Sequence, residues 1–169
     1  MIVEDGTGLS NSDSYLSVAD ADTYWTAHGS PTDWTGATTA NKEAALVYAT
    51  RWLDDNFSWL SNIYKTTQAL DWPRWSYYDS EGRTIAVGVP QRIKDATAEL
   101  ALAWVSGELY SSSGQESISS EKVGNSSVTY RNGSYSSSSG SYRSFGDIKL
   151  MLREYGSASK STVNILYRA

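Results

Sequence analysis

The sequence contains no cysteine and a single histidine, His28. Without thiols there is no disulfide framework and no thiolate nucleophile, which fits a cytoplasmic origin. One imidazole and no thiolate exclude the usual His/Cys zinc sites. Neither a G-x-S-x-G nucleophile elbow nor a G-x-x-x-x-G-K-[ST] phosphate loop occurs. No run approaches the ~18 apolar residues of a membrane-spanning helix, so no membrane association is expected. The opening "MIVEDGTGLSNSDSY" has neither a basic flank nor an apolar stretch and does not read as a signal peptide. Residues 1–40 contain no lysine or arginine. Phenylalanine is scarce too, with 2 residues against 7 tryptophans and 12 tyrosines. These absences leave no recognisable catalytic apparatus. The chain reads as a non-enzyme with no cofactor and no metal.

At 169 residues the chain has the size of one domain and can bury a core. Its aromatic excess lies in Trp and Tyr, whose polar tips suit half-wet surfaces and interfaces. The net charge is -5. Proteins that draw affinity from phosphates are normally basic, so the balance argues against tight nucleic-acid binding but leaves room for a local patch. The charge is also polarised. The N-terminal part carries Glu4, Asp5, Asp13, Asp20, Asp22 and Asp33, whereas beyond Tyr142 the cations Arg143, Lys149, Arg153, Lys160 and Arg168 outnumber Asp147 and Glu154. Unlike ends suit head-to-tail association or the docking of a basic tail on an acidic partner.

Along the chain, the first fifteen residues read as an extended arm with turns at Asp5-Gly6 and Gly8. "SVADADTYWTAHG" predicts a short helix capped by Ser17, with Asp20 and Asp22 in its first turn and Gly29 as a left-handed stop. "SPTDWTGATT" reads as a loop. "TANKEAALVYATRWLDDNFSWL" predicts a long helix with Thr39 as N-cap and a stripe of Leu46, Ala49, Leu53 and Phe57, widened by Ala45, Tyr48 and Trp52. "PQRIKDATAELALAWVSGEL" predicts a second, with Pro90 in its first turn and Ile93, Ala96, Leu100, Ala103 and Trp104 on one face. Its alanines favour close approach of another helix. "EKVGNSSVTYRNG" predicts a β-hairpin turning at Gly124-Asn125, with Asn132-Gly133 as a second turn. A Ser-rich linker follows, then "SFGDIKLMLREYG" as a short amphipathic helix capped by Ser144, with Ile148, Met151, Leu152 and Tyr155 on its apolar side.

His28 reads as a partner for the helix C-terminus rather than a base or ligand. The acidic pairs Glu4-Asp5, Asp20/Asp22 and Asp54-Asp55 read as solvated surface, although Asp54-Asp55 near a helix end are electrostatically odd. The Ser run 136–139 reads as a spacer, with phosphorylation as the alternative. The stretch "QALDWPRWSYYDSEGRT" has two readings. Trp72, Trp75 and Tyr77 could stack bases while Arg74 meets a phosphate. Alternatively, Trp72 plugs a helix–helix gap, Pro73 stops the chain, Arg74 pairs with an acid, and Ser80-Glu81-Gly82 turns between short extended segments. The acidic balance favours the corner.

Five segments together resemble a known family. They are "VEDGTGLSNSDSYLSVADADTYW", "KEAALVYATRWLD", "QALDWPR", "VPQRIKDATAELAL" and "SEKVGNSSVTY", in that order from Val3 to Tyr130. The resemblance is to tailed-phage head–tail adaptor (head completion or connector) proteins, whose relatives often carry the label "putative DnaT-like ssDNA-binding protein". It implies a small helical subunit of a dodecameric ring beneath the portal protein, in the neck of the virion, assembled in the bacterial host cytoplasm. Such a ring extends the DNA channel, lets DNA pass without specific binding, and docks the next tail or neck completion protein. The label implies a different function, single-stranded DNA binding in replication restart.

The expectations are therefore a mainly α fold, a small helical bundle with one long β-hairpin and extended terminal segments. Residues 1–133 form the adaptor core with the hairpin, 134–144 the Ser-rich linker, and 145–169 a short helix and docking tail. Lys160, Val163, Ile165, Leu166, Tyr167 and Arg168 are assigned to the portal-docking tail. Trp75, Tyr77, Tyr78, Arg83, Val123, Val128 and Tyr130 are assigned to a subunit or tail interface.

Overall fold

The computed structural model describes residues 1–107, 121–123, 126–128 and 145–158. The described chain is mainly helical, with α1 (Val18–Ala27), α2 (Thr32–Gly36), α3 (Thr39–Asn56), α4 (Gln91–Val105) and α5 (Phe145–Leu152). Three short antiparallel pairs accompany the helices. β1 (Phe57–Trp59) pairs with β6 (Gly156–Ala158), β2 (Tyr77–Tyr78) with β3 (Thr84–Ile85), and β4 (Glu121–Val123) with β5 (Ser126–Val128). The register of the last pair includes Val123↔Ser126, and the turn expected at Gly124-Asn125 lies outside the described residues.

Helix α4 is the hub, with α3 packed along it and α1, α2 and α5 also against it. Every residue from Ala96 to Ala103 is buried, together with Ile93. Alanine makes this possible, because a helix with small side chains on several faces can be enclosed by neighbours at short interaxial distance. The facing stripe of α3 is Ala45, Leu46, Ala49, Thr50 and Leu53, all buried. The expected face of α4 thus understates its burial, since Ala98, Ala101 and Leu102 are buried as well. Pro90 stands just before the helix as its N-cap rather than inside the first turn.

Other boundaries shift for local reasons. The N-cap of α3 is Thr38, not Thr39, and its hydroxyl accepts from the Asn41 amide. That helix ends at Asn56 because Phe57, Ser58 and Trp59 are drawn into pairing with β6. The segment read as a loop after α1 holds the one-turn α2, stabilised by burial of Trp34. The Trp34 indole donates to Asp22 at 2.8 Å, and Lys42 donates to the same oxygen at 2.7 Å. Asp22 therefore lies in the second turn of α1, not the first, and serves as a link to α2 and α3. Burial works against its charge, but the Lys42 and Trp34 hydrogen bonds prevail and hold its carboxyl below the usual range. Ser17 caps α1, Gly29 follows at φ +95°, and the His28 Nδ1–H donates to the Tyr24 carbonyl at 2.6 Å.

Of the carboxylates expected on a solvated surface, Glu4 is buried and Asp54 is half-buried. Instead of an extended arm, residues 4–12 wrap around the buried Glu4. Its carboxylate accepts from the amides of Gly6, Gly8 and Leu9 and from the Ser12 hydroxyl, at 2.8–3.0 Å. Gly6 and Gly8 adopt positive φ, which lets successive amides converge on one carboxylate. Asp54, near the end of α3, accepts from the Tyr15 hydroxyl at 2.5 Å and from the Asp71 amide at 3.2 Å. The Tyr15 oxygen in turn accepts from the Trp72 amide. One carboxyl thus joins the N-terminal arm, α3 and the "ALDWPR" corner, which explains an acid where the helix dipole disfavours it.

Trp72, expected to plug a helix–helix gap, is fully buried, and the rings it meets lie in a strand and just beyond α5. It lies edge-on to Trp59 of β1 at 5.8 Å and to Tyr155 at 6.2 Å. The Trp72–Pro73 peptide is cis. Arg74, expected to pair with an acid, donates instead to the Ser61 carbonyl at 2.6 Å.

A Cβ at Gly156 would sit 2.6 Å from the Ser58 carbonyl oxygen and 3.1 Å from Trp59 Cα. Gly156→Ala is expected to destabilise the protein by about 1–3 kcal/mol, since backbone atoms would have to move. Chemical denaturation checks this against Ser157→Ala, whose exposed side chain makes it a neutral control. Burial raises the Asp54 pKa from 3.8 to about 7, despite the opposing Tyr15 hydrogen bond. Folding then favours the protonated carboxyl, so its contribution to stability is full below pH 3.8 and is lost as pH rises toward 7. Asp54→Asn removes that titration. The Tm of the variant minus that of the wild type should increase between pH 4 and 7 and then level off; a difference constant with pH would contradict the assignment.

Candidate functional site

The chain leaves α3 through β1 and turns at Ser61, which adopts φ +64°. It then runs back alongside residues 73–75. The Trp75 amide donates to the Asn62 carbonyl, the Tyr64 amide to the Pro73 carbonyl, and the Ser61 hydroxyl to the Trp75 carbonyl. This backbone clasp presents Trp75, which is 53% exposed and meets Tyr64 edge-on at 4.8 Å. Leu60 and Ile63, on the same clasp, are exposed too. Together they form an outward apolar and aromatic group, the kind of feature that marks an interaction site.

The β2–β3 hairpin adjoins it. Asp79 organises the turn by accepting from the amides of Glu81 and Arg83 and from the Arg83 Nε, all within 3.0 Å. Gly82 takes φ +79°, as the expected Ser80-Glu81-Gly82 turn requires. These donors, the Arg83 amide first, hold the Asp79 carboxyl below the usual range. A second clamp comes from Glu154, just beyond α5. One of its oxygens accepts from the Ser80 hydroxyl at 2.5 Å and from the Ser80 amide, while the other faces Arg153 at 3.2 Å. The Ser80 hydroxyl is the chief cause of its lowered pKa. Tyr77 is half-buried and donates to the Glu154 carbonyl; burial and the neighbouring Tyr155 push its phenol up to about 12. Tyr78, on the outward face, is 74% exposed.

The electrostatics of this surface are decided by those clamps. Arg83 is engaged by Asp79 and Glu81, Arg153 by Glu154, and Arg74 by the Ser61 carbonyl. Three arginines near the exposed aromatics are thus engaged within the chain, while the exposed Lys65 ammonium lies over the Tyr64 ring, 5.9 Å from its centroid. Arg92, at the start of α4, forms no ion pair or hydrogen bond among the described residues. It borders a groove of about 480 Å³ between the hairpin, α4 and the end of α5.

The structure thus exposes Trp75, Tyr78 and Arg83 and turns Tyr77 partly inward. The backbones of Val123 and Val128 belong to the β4–β5 pair. Tyr130 and the tail residues Lys160, Val163, Ile165, Leu166, Tyr167 and Arg168 lie outside the described residues, as do Asn132-Gly133, the Ser-rich linker and Ser144. Leu60 was missed because "NFSWL" was read as the end of a helix, and Ile63 and Tyr64 because the residues after it were given no role; the turn-forming Ser61-Asn62 is the signal that marks the clasp. Among the described residues no cluster of His, Asp or Glu is arranged to hold a metal, and no helix is long and apolar enough to cross a membrane.

No curated protein and no solved structure matches the chain. A family model does, over residues 1–169. The chain belongs to the family described as "Putative DnaT-like ssDNA binding protein".

Proposed function

We propose that the protein is a virion structural subunit, a head–tail adaptor that forms a ring beneath the portal, extends the DNA channel and docks the next neck or tail component. The observation that carries this reading is the pairing of exposed aromatics with arginines already engaged by partners within the chain. Binding a single strand needs cations free to displace counterions from phosphates. A protein interface needs the opposite, aromatic anchors whose polar neighbours are already satisfied. Trp75 and Tyr78 stand exposed, while Arg74, Arg83 and Arg153 are held by partners within the chain. A net charge of -5 suits the wall of a channel through which DNA must slide. The segment from Lys160 to Arg168 is proposed to reach the portal, and the Trp75–Tyr78 surface to meet a neighbouring subunit or neck component.

The second reading is the one in the family's description, single-stranded DNA binding, as in replication restart. Its support is the exposure of two ring faces, Trp75 and Tyr78, within a few residues of Arg83.

Two measurements separate the readings. Sedimentation velocity should show concentration-dependent self-association, weakened at least tenfold by the double substitution Trp75→Ala, Tyr78→Ala. Fluorescence anisotropy with a labelled thymidine oligonucleotide should remain flat at low salt. Salt-sensitive oligonucleotide binding that is lost in Trp75→Ala would instead establish the second reading. A pull-down with the portal should fail once residues 160–169 are deleted, with the circular dichroism of the protein unchanged.

A further inference from the structure

Two concave surfaces flank the first turns of α4. The first is the groove of about 480 Å³, lined by three arginines, Arg83, Arg92 and Arg153, against two carboxylates, Asp79 and Glu154. Its lip is Leu150 of α5, which is 67% exposed although its helix neighbours Ile148 and Leu152 are buried. The second is a hollow of about 300 Å³ between α1 and α4, and it has the opposite balance. Asp20 and Asp95 line it against the single cation Lys94, and Leu16, Tyr24 and Ala27 supply apolar wall. Arg92 and the hollow-lining Gln91 and Asp95 project from α4 in directions roughly 60–100° apart, as the pitch of an α-helix dictates.

The two surfaces complement each other in charge and in form. One offers a protruding leucine beside an exposed arginine, Arg92, that makes no hydrogen bond or ion pair among the described residues. The other offers a partly apolar recess bordered by the exposed carboxylate of Asp20. Within one chain they cannot meet, because α4 stands between them. We propose that they meet between copies, with Leu150 of one copy seated in the α1–α4 hollow of the next and Arg92 facing Asp20. Such an interface is heterologous, since each copy uses a different face toward either neighbour, and a closed set of heterologous contacts is a ring. The proposal rests on the adaptor reading and assigns the faces that join its subunits. Opposite charge at the rim sets register and partner orientation, and the buried leucine supplies the apolar contact.

Charge reversal with rescue tests it. Full-length wild type, Arg92→Glu, Asp20→Lys, Leu150→Ala and an equimolar mixture of the two charge variants are compared by sedimentation velocity at low salt. Circular dichroism confirms that each is folded. Each single variant should self-associate at least tenfold more weakly than wild type. The mixture should recover, because both junctions of an alternating assembly are then complementary. If wild type associates and Arg92→Glu does so equally well, or if the mixture fails to recover, the assigned faces are wrong while the adaptor reading stands. If wild type remains monomeric at every concentration, in the presence of the portal as well as alone, the ring itself is refuted.

Discussion

The close approach of α3 to α4 governs the rest of the molecule. It is possible because α4 places alanine at positions 96, 98, 101 and 103, so that other helices reach its backbone without large side chains intervening. A helix enclosed in this way has little surface of its own. Its polar residues need partners, as Thr97 finds in the Ile93 carbonyl and one Glu99 carboxylate oxygen finds in the Tyr24 hydroxyl of α1 at 2.6 Å. The surrounding elements then arrange themselves by what α4 leaves open. Helix α3 takes the longest side, and α1, α2 and α5 occupy the remainder.

An acidic protein has to put its carboxylates somewhere, and this one uses several as internal connectors. Glu4 gathers the N-terminal arm, Asp22 ties three helices, Asp54 joins the arm to the corner, and Asp79 and Glu154 fix the hairpin. In most of these cases the donors are backbone amides or hydroxyls, so the binding of each charge does not depend on a surface cation that salt would screen. The same habit shapes the outer surface. Where arginines accompany exposed aromatics, the nearby acids and carbonyls engage them first, and the aromatic faces are left as the available feature.

Much of the helical framework was legible in the sequence, because amphipathic spacing and caps are local signals. Ser17, Gly29, the α3 stripe and the Ser80-Glu81-Gly82 turn are instances. What escaped depended on partners distant in the chain. The end of α3 is set by a strand about a hundred residues later, the one-turn α2 by burial of Trp34, and the fate of Glu4 and Asp54 by donors that composition does not reveal. The candidate surface divides in the same way. Trp75, Tyr78 and Arg83 stood out through their unusual chemistry, whereas Leu60, Ile63, Arg92 and Leu150 are ordinary residues whose exposure and juxtaposition only tertiary structure defines.

The antiparallel match of β1 with β6 has a consequence for how the chain closes on itself. Helix α4 ends at Val105 and α5 begins at Phe145, and both helices pack against each other. The intervening residues, including the β4–β5 pair, thus start and finish on the same framework, with β6 fastening the return to β1. Closure entropy rises only logarithmically with the length of such an excursion, by about 0.6 kcal/mol per doubling. The β1–β6 pair thus returns the chain to the end of α3, the helix already packed along α4, so the cost of closing that excursion is met by contacts within the helical framework.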